Sequence, residues 1–220
     1  MNSLKNKNNF SISDLYSFLY NAFGPQGWWP ADTKFEVIVG AILTQNTSWK
    51  NVEKSIKNLK LKNLLDFNVI YNLSVEVLAN EIKSSGFYRQ KANRLKSLIY
   101  SIHSNYGSLE NFLNQEVNEA RKFLLSIKGI GKETADSIIL YAMDKPVFVV
   151  DSYTLRIFKR IGFDLRDYET IKMQIEKNFN YNTENLKEFH ALLVELAKRY
   201  CKKSPSCDTC PINHFCEKNI

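Results

Sequence analysis

The segment Leu124-Leu125-Ser126-Ile127-Lys128-Gly129-Ile130-Gly131-Lys132-Glu133-Thr134-Ala135 has the make-up of a short hairpin that delivers the start of a helix to a phosphate. Leu124 and Leu125 end one helix on its buried side, and Gly129 and Gly131 flank a single apolar residue and permit a tight turn. From Lys132 onward, Ala135, Ile138 and Ile139 form the apolar face of a second helix. Backbone N–H groups around two glycines make an anion-binding concavity, and the helix dipole adds partial positive charge at the same place. With Lys132 beside it, the turn suits one phosphate of a nucleic-acid backbone. Without a ligand the same residues read as a plain helix-helix connection.

The whole chain favours a polyanionic partner. It has 220 residues, 44% of them hydrophobic, and a formal net charge of +7. That length supports one large or two small cores. A basic balance also suits a membrane surface, but no apolar run reaches the roughly 20 residues of a spanning helix. The polar start Met1-Asn2-Ser3-Leu4-Lys5-Asn6-Lys7-Asn8-Asn9 has no signal-peptide core, so a cytoplasmic protein is expected, with that start disordered.

Around the hairpin the apolar spacing is helical almost everywhere, so the fold class is all-α. Ser11 or Ser13 can cap a helix with Leu15, Phe18, Leu19 and Ala22 on one face. Gly24 to Pro30 is irregular, which leaves Trp28 and Trp29 in a loop. Asp32 can cap a largely buried helix that ends in Leu43-Thr44-Gln45-Asn46-Thr47, and Ser48 the next one. A helix from Ser74 runs to Gly86, and a long one from Tyr88 to about Tyr106 puts Ala92, Leu95, Leu98, Ile99 and Ile102 inside and Arg89, Lys91, Arg94 and Lys96 outside. Helices are expected at about 152–161, around Ile171, Ile175 and Phe179, and from about Asn185 to Tyr200. Val147-Phe148-Val149-Val150 alone suggests a strand, with nothing to pair with.

Three constellations carry chemistry. Cys201, Cys207, Cys210 and Cys216 give C-x5-C-x2-C-x5-C, and no other cysteine exists to staple the chain. Four cysteines this close either share a metal centre, for which Zn²⁺ and a [4Fe–4S] cluster are both suitable, or remain reduced and idle. Asp151 stops the apolar run and is a good N-cap for the helix after it; a carboxylate held there can also stabilise an oxocarbenium-like sugar or help activate a water. Trp28, Trp29 and Trp49 all lie near the chain start, where aromatic faces could hold a flipped base and favour a cationic one. His103, His190 and His214 show no ligand spacing and receive no catalytic role.

The hairpin, Asp151 and the cysteine pattern together resemble the helix-hairpin-helix DNA glycosylases of the endonuclease III superfamily. Trp28-Trp29-Pro30, Leu43-Thr44-Gln45-Asn46-Thr47, Ser85-Gly86-Phe87-Tyr88-Arg89-Gln90-Lys91-Ala92 and Lys128-Gly129-Ile130-Gly131-Lys132-Glu133 look like its 3-methyladenine DNA glycosylases. The resemblance implies a two-domain helical fold. A six-helix barrel covers 31–145, with the helix-hairpin-helix at about 121–143. The second domain joins 1–30 to 146–220 and carries the cysteine loop at 201–216. DNA binds in the groove between them.

The resemblance also implies roles. Asp151 is the catalytic carboxylate. Trp28 and Trp49 form the two faces of a base sandwich, with Trp29 and Glu133 in the same pocket. Gln45 is inserted into the duplex gap, and Lys128, Gly129, Gly131, Lys132 and Thr134 lie along the DNA. The cysteines hold a [4Fe–4S] cluster rather than zinc, with a first spacer one residue shorter than the family's C-x6-C. Bifunctional members carry a nucleophilic lysine at the second position after the last glycine. Here that position is Glu133, which cannot form a Schiff base.

The expected activity is hydrolytic release of alkylated purines, 3-methyladenine first, from double-stranded DNA by a monomer, without strand cleavage. The rivals are a glycosylase/lyase for oxidised pyrimidines or a mismatch glycosylase and, from another class, a non-catalytic iron-sulfur DNA-binding protein.

Overall fold

A computed structural model describes residues 5–163 and 167–219. In chain order the helices are α1 (Ile12–Phe23), α2 (Lys34–Leu43), α3 (Trp49–Leu61), α4 (Phe67–Asn72), α5 (Val75–Glu81), α6 (Tyr88–Tyr106), α7 (Leu109–Leu113), α8 (Val117–Ser126) and α9 (Lys132–Ser137). They are followed by α10 (Ser152–Ile161), α11 (Tyr168–Asn178) and α12 (Thr183–Arg199). A 3₁₀ turn, Lys83–Ser85, separates α5 from α6, and α9 continues into a π-helical turn, Ile138–Ala142. The all-α class holds: among the described residues there is no sheet, only one isolated bridge between Lys5 and Ser11. No helix among them is long and apolar enough to cross a membrane.

The chain divides into two compact units, Ala31–Lys145 and Met1–Pro30 with Pro146–Ile220. In the first, α2 is buried nearly all round, and Thr33 rather than Asp32 accepts from its first turn, at Glu36 N. Asp32 instead joins Glu36 on the Lys60 amine, at 2.8 and 2.7 Å. Arg121 of α8 donates to both oxygens of the fully buried Asp136 on α9, at 2.7 and 3.1 Å, which fixes the two arms of the hairpin to each other.

Two lysines on α6 overturn the outward placement expected of them. Lys91 is 1% exposed and Lys96 4%. Each lies at the border of the apolar stripe, where a long stem can bury itself and deliver its amine to helix-end carbonyls that would otherwise be orphaned. Lys91 Nζ donates to Leu43 O at 2.8 Å and Ser85 O at 2.5 Å, joining the end of α2 to the 3₁₀ turn. Lys96 Nζ donates to Ile70 O, Tyr71 O and Leu73 O at 2.6–2.9 Å, closing the end of α4. Burial, reinforced by the charge of Arg94, pushes the Lys91 pKa down to about 8.

In the second unit α1, α10 and α12 share a core that includes Leu15, Leu19, Ile157, Phe158, Phe189, Leu192 and Leu196. Val147 to Val150 is buried chain without regular structure, not a strand. Its Phe148 N–H finds a side-chain acceptor, Glu176 Oε1 at 2.8 Å, in place of a neighbouring strand. The disorder expected at the chain start also fails for residues 5–9, while Met1 to Leu4 lie outside the described residues. The Asn6 amide donates to Ile161 O and Phe215 O, both at 2.8 Å, and Phe10 stacks on Phe215 with ring centroids 4.8 Å apart.

Candidate active site and nucleic-acid interface

The hairpin forms as its glycines suggest. α8 ends at Ser126, and Ile127 and Ile130 bury their side chains in the core. Ile130 N donates to Ile127 O at 3.0 Å, and Gly129 adopts φ +91°. Gly129 answers two demands: its backbone is left-handed, and a Cβ there would lie 2.5 Å from Arg94 Nε. Gly131 is the N-cap of α9 and offers no side chain to its first turn. Lys128 and Lys132, on either side of the turn, are both exposed. Glu133 is exposed in the same first turn, whereas Thr134 is buried.

Gln45 follows α2 in a turn whose next residue, Asn46, is left-handed at φ 52°. Its amide is drawn onto the hairpin: Nε2 donates to Gly129 O at 3.1 Å and to Thr134 Oγ1 at 2.9 Å. Arg94 Nη1 donates to Gln45 Oε1 at 2.6 Å. Three residues expected along the DNA, Gln45, Gly129 and Thr134, thus form one hydrogen-bonded group. Trp49 opens α3 in the same unit and is half-buried.

Asp151 is the N-cap of α10 and is buried. Its Oδ1 accepts from Thr154 N at 2.7 Å and from Thr154 Oγ1 at 2.9 Å. Its Oδ2 faces His190 Nε2 at 3.7 Å, a charge-pair distance rather than a hydrogen bond. Burial pushes this carboxyl up, but the pull of His190 and the two donors of Thr154 outweigh it and hold the pKa below the usual aspartate value. Asp151 is therefore an anion held in a largely dry setting. His190 sits 5.8 Å from the Trp28 ring, centroid to centroid, and 6.1 Å from that of Phe148. Trp28 and Trp29 are both half-buried, with rings 5.3 Å apart, and Lys198 Nζ stands 5.6 Å from the Trp28 centroid.

Cys201, Cys207, Cys210 and Cys216 all line one cavity, with Ile157, Arg160, Leu196 and Tyr200 on its other sides. Arg160 braces it: Nη1 donates to Cys201 Sγ at 3.3 Å and to Lys202 O at 2.5 Å, and the Arg160 carbonyl accepts from Cys216 Sγ at 3.2 Å. Burial, followed by the neighbouring cysteines, raises the Cys210 thiol to about 11. Only a cation placed among them would make these four thiols ionise together. Among the described residues, however, no group of three or more His, Cys, Asp or Glu side chains converges on the position of one ion.

Comparison with known proteins decides the family. Residues 39–181 match the pattern of the HhH-GPD superfamily base excision DNA repair proteins. The chain belongs to that superfamily. A protein of Methanocaldococcus jannaschii, named as a candidate DNA repair glycosylase, is 49% identical over 93% of this chain and 95% of its own. Endonuclease III of Thermotoga maritima is 29% identical over 83% of this chain and 82% of its own. An H. pylori 3-methyladenine DNA glycosylase, solved with bound 1,N6-ethenoadenine, is similar in structure with a TM-score of 0.77 at 35% identity, over 84% of this chain and 96% of that one. The protein is a DNA glycosylase of base-excision repair with the endonuclease III-like helical fold.

Two features of this HhH-GPD glycosylase escaped the sequence reading. His190 has no ligand spacing, yet it lies on the apolar face of α12 and is only 4% exposed, where a buried imidazole needs a polar neighbour. Phe87 is, in the sequence, one apolar residue inside a motif. It stands 67% exposed in a left-handed conformation, φ 45°, directly after Gly86 at φ 66°, an arrangement no core requires.

Proposed function

We propose that this glycosylase hydrolyses the N-glycosidic bond of alkylated purines in double-stranded DNA, with 3-methyladenine as the preferred lesion, and leaves the strand intact. The observation that carries the reading is the setting of Asp151: one oxygen is fixed by Thr154, and the group stays ionised despite burial. A fixed anion in low dielectric stabilises the positive charge that develops on the sugar as the base leaves, and its second oxygen can orient a water. The hairpin binds backbone phosphate, with Gly129, Gly131, Lys128 and Lys132 placing the duplex without reading its sequence. Gln45 fills the space of the flipped nucleotide, and Trp28, Trp29 and Trp49 supply stacking faces for the base. The likeness to the H. pylori enzyme supports the lesion class.

Glu133, second after Gly131, argues for water as the nucleophile, because no amine stands where the bifunctional enzymes carry theirs. Borohydride treatment of the protein on a lesion duplex is expected to trap no covalent adduct. Gels should show breaks only after hot alkali. The second reading, an oxidised-pyrimidine glycosylase/lyase, draws on the Thermotoga maritima relative. Efficient trapping, with release of oxidised pyrimidines from a panel of single-lesion duplexes, would establish it instead.

The four cysteines fit a [4Fe–4S] cluster better than zinc. They surround a cavity rather than a point, and such a cluster presents four separate irons to four thiolates, whereas a tetrahedral ion draws all four sulfurs to about 2.3 Å from one centre. The cluster would tie the last loop together. Iron and acid-labile sulfide in equal amounts are expected in anaerobically purified protein. Cys207→Ser should lose both and leave residues 201–216 open to proteolysis. Stoichiometric zinc without iron would overturn the assignment.

A further inference from the structure

We propose that Arg94 is a positioning residue for Gln45, holding the amide that enters the duplex in one orientation on the phosphate-binding hairpin. The inference rests on the reading of Gln45 given above.

The geometry leaves the amide no choice. A guanidinium only donates and the Gly129 carbonyl only accepts, so Oε1 must face Arg94 and Nε2 must face the hairpin. Both amide hydrogens are then in use, since Thr134 Oγ1 takes the second at 2.9 Å. A glutamine on a loop otherwise spends rotamer freedom when it is ordered. Here that ordering is complete before DNA arrives, which is what preorganisation requires. The same contacts tie Gln45 to Gly129, so the hairpin that meets the phosphate also carries the side chain destined for the base stack.

Arg94 is built for this task. It projects from the long α6 between the buried Ala92 and Leu95, and its stem and Nε lie so close to Gly129 that a Cβ would meet three of its atoms within 2.9 Å. Among the described residues no carboxylate pairs with it, and its charge adds to the strain on the buried Lys91. Stability of the folded chain does not account for a guanidinium in such company. Its bond to Gln45 does. Lysine would keep the charge but has no planar fork to fix an amide.

The test uses a duplex carrying a tetrahydrofuran abasic analogue next to 2-aminopurine, whose emission rises when Gln45 fills the gap and unstacks it. Arg94→Met and Arg94→Lys are each expected to cut that rise about fivefold, as Gln45→Ala does, and the double variant Arg94→Met/Gln45→Ala should lose no more than Gln45→Ala alone. Affinity of Arg94→Lys for undamaged duplex should stay within about threefold of wild type at fixed salt. Arg94→Lys retains charge and stem, so it serves if Arg94→Met fails to fold. Wild-type emission from Arg94→Lys alongside a loss in Arg94→Met would show a point charge and overturn the proposal, as would losses that multiply in the double variant. Wild-type emission from Gln45→Ala would instead overturn the placement of Gln45 itself, and this proposal with it.

Discussion

Asp151→Asn is expected to lower single-turnover base release by at least about two orders of magnitude, the scale set by removing one preorganised electrostatic group from an active site. The substitution separates two duties of one side chain. Asparagine caps a helix as well as aspartate does, so the bonds from Thr154 N and Oγ1 to the amide oxygen survive and the fold should lose less than about 1 kcal/mol. What disappears is the anion. Affinity for an abasic-analogue duplex should persist, because phosphate contacts belong to other residues. The pH profile gives a second check. Activity needs the ionised form, and the carboxyl is held below the ordinary aspartate range, so the rate should not fall as the pH drops through 5. Undiminished release by Asp151→Asn would remove this group from the chemistry.

The second large effect concerns stability. Lys91→Met leaves Leu43 O and Ser85 O buried without a donor, each worth about 1–3 kcal/mol, partly offset by no longer burying an amine. A net loss on the order of 2 kcal/mol at neutral pH follows, or roughly 4–8 °C in Tm for a chain of this size. The deficit should also depend on pH. The folded pKa of Lys91 is about 8 against an ordinary 10.5, so between these values the unfolded chain still binds a proton that the folded chain has shed. Stability from this group therefore rises with pH across that window, and the variant cannot follow. Urea titrations at pH 7.5 and 9.5 should find the gap between wild type and variant wider at the higher pH. A constant or narrowing gap would contradict the depressed pKa.

Lys91 also shows where sequence reading stops. The class, the long α6 from Tyr88 to Tyr106 and the hairpin were legible because apolar spacing and glycine placement are local properties. Which way a lysine beside the apolar stripe turns depends on whether the ends of other helices bring carbonyls within reach, and no local pattern records that. Val147 to Val150 misled for a related reason: buried irregular chain and strand share one composition, and Glu176, far away in sequence, supplies the acceptor. Asp151 could be read because it ends an apolar run and starts a helix. Its neighbour His190 could not, because what matters is a distance of 3.7 Å across 39 positions in the chain.

The discontinuous unit sets an order of events during synthesis. Asn6 donates to the carbonyl of Phe215, 209 residues later, and Lys7 N to Glu217 Oε1 at 2.9 Å. The ribosome therefore releases the first partner of the Asn6 bond 209 residues before the second. Residues 31–145 have every partner for their own core by the time Lys145 emerges, and can close while the chain is still growing. α1 leaves the tunnel first yet must wait for α12, with its apolar face uncovered, through the making of the whole inserted unit. A pause or break in translation after Lys145 would thus deliver a closed inserted unit carrying an unpartnered helix, a species for chaperones to hold rather than a partly active enzyme.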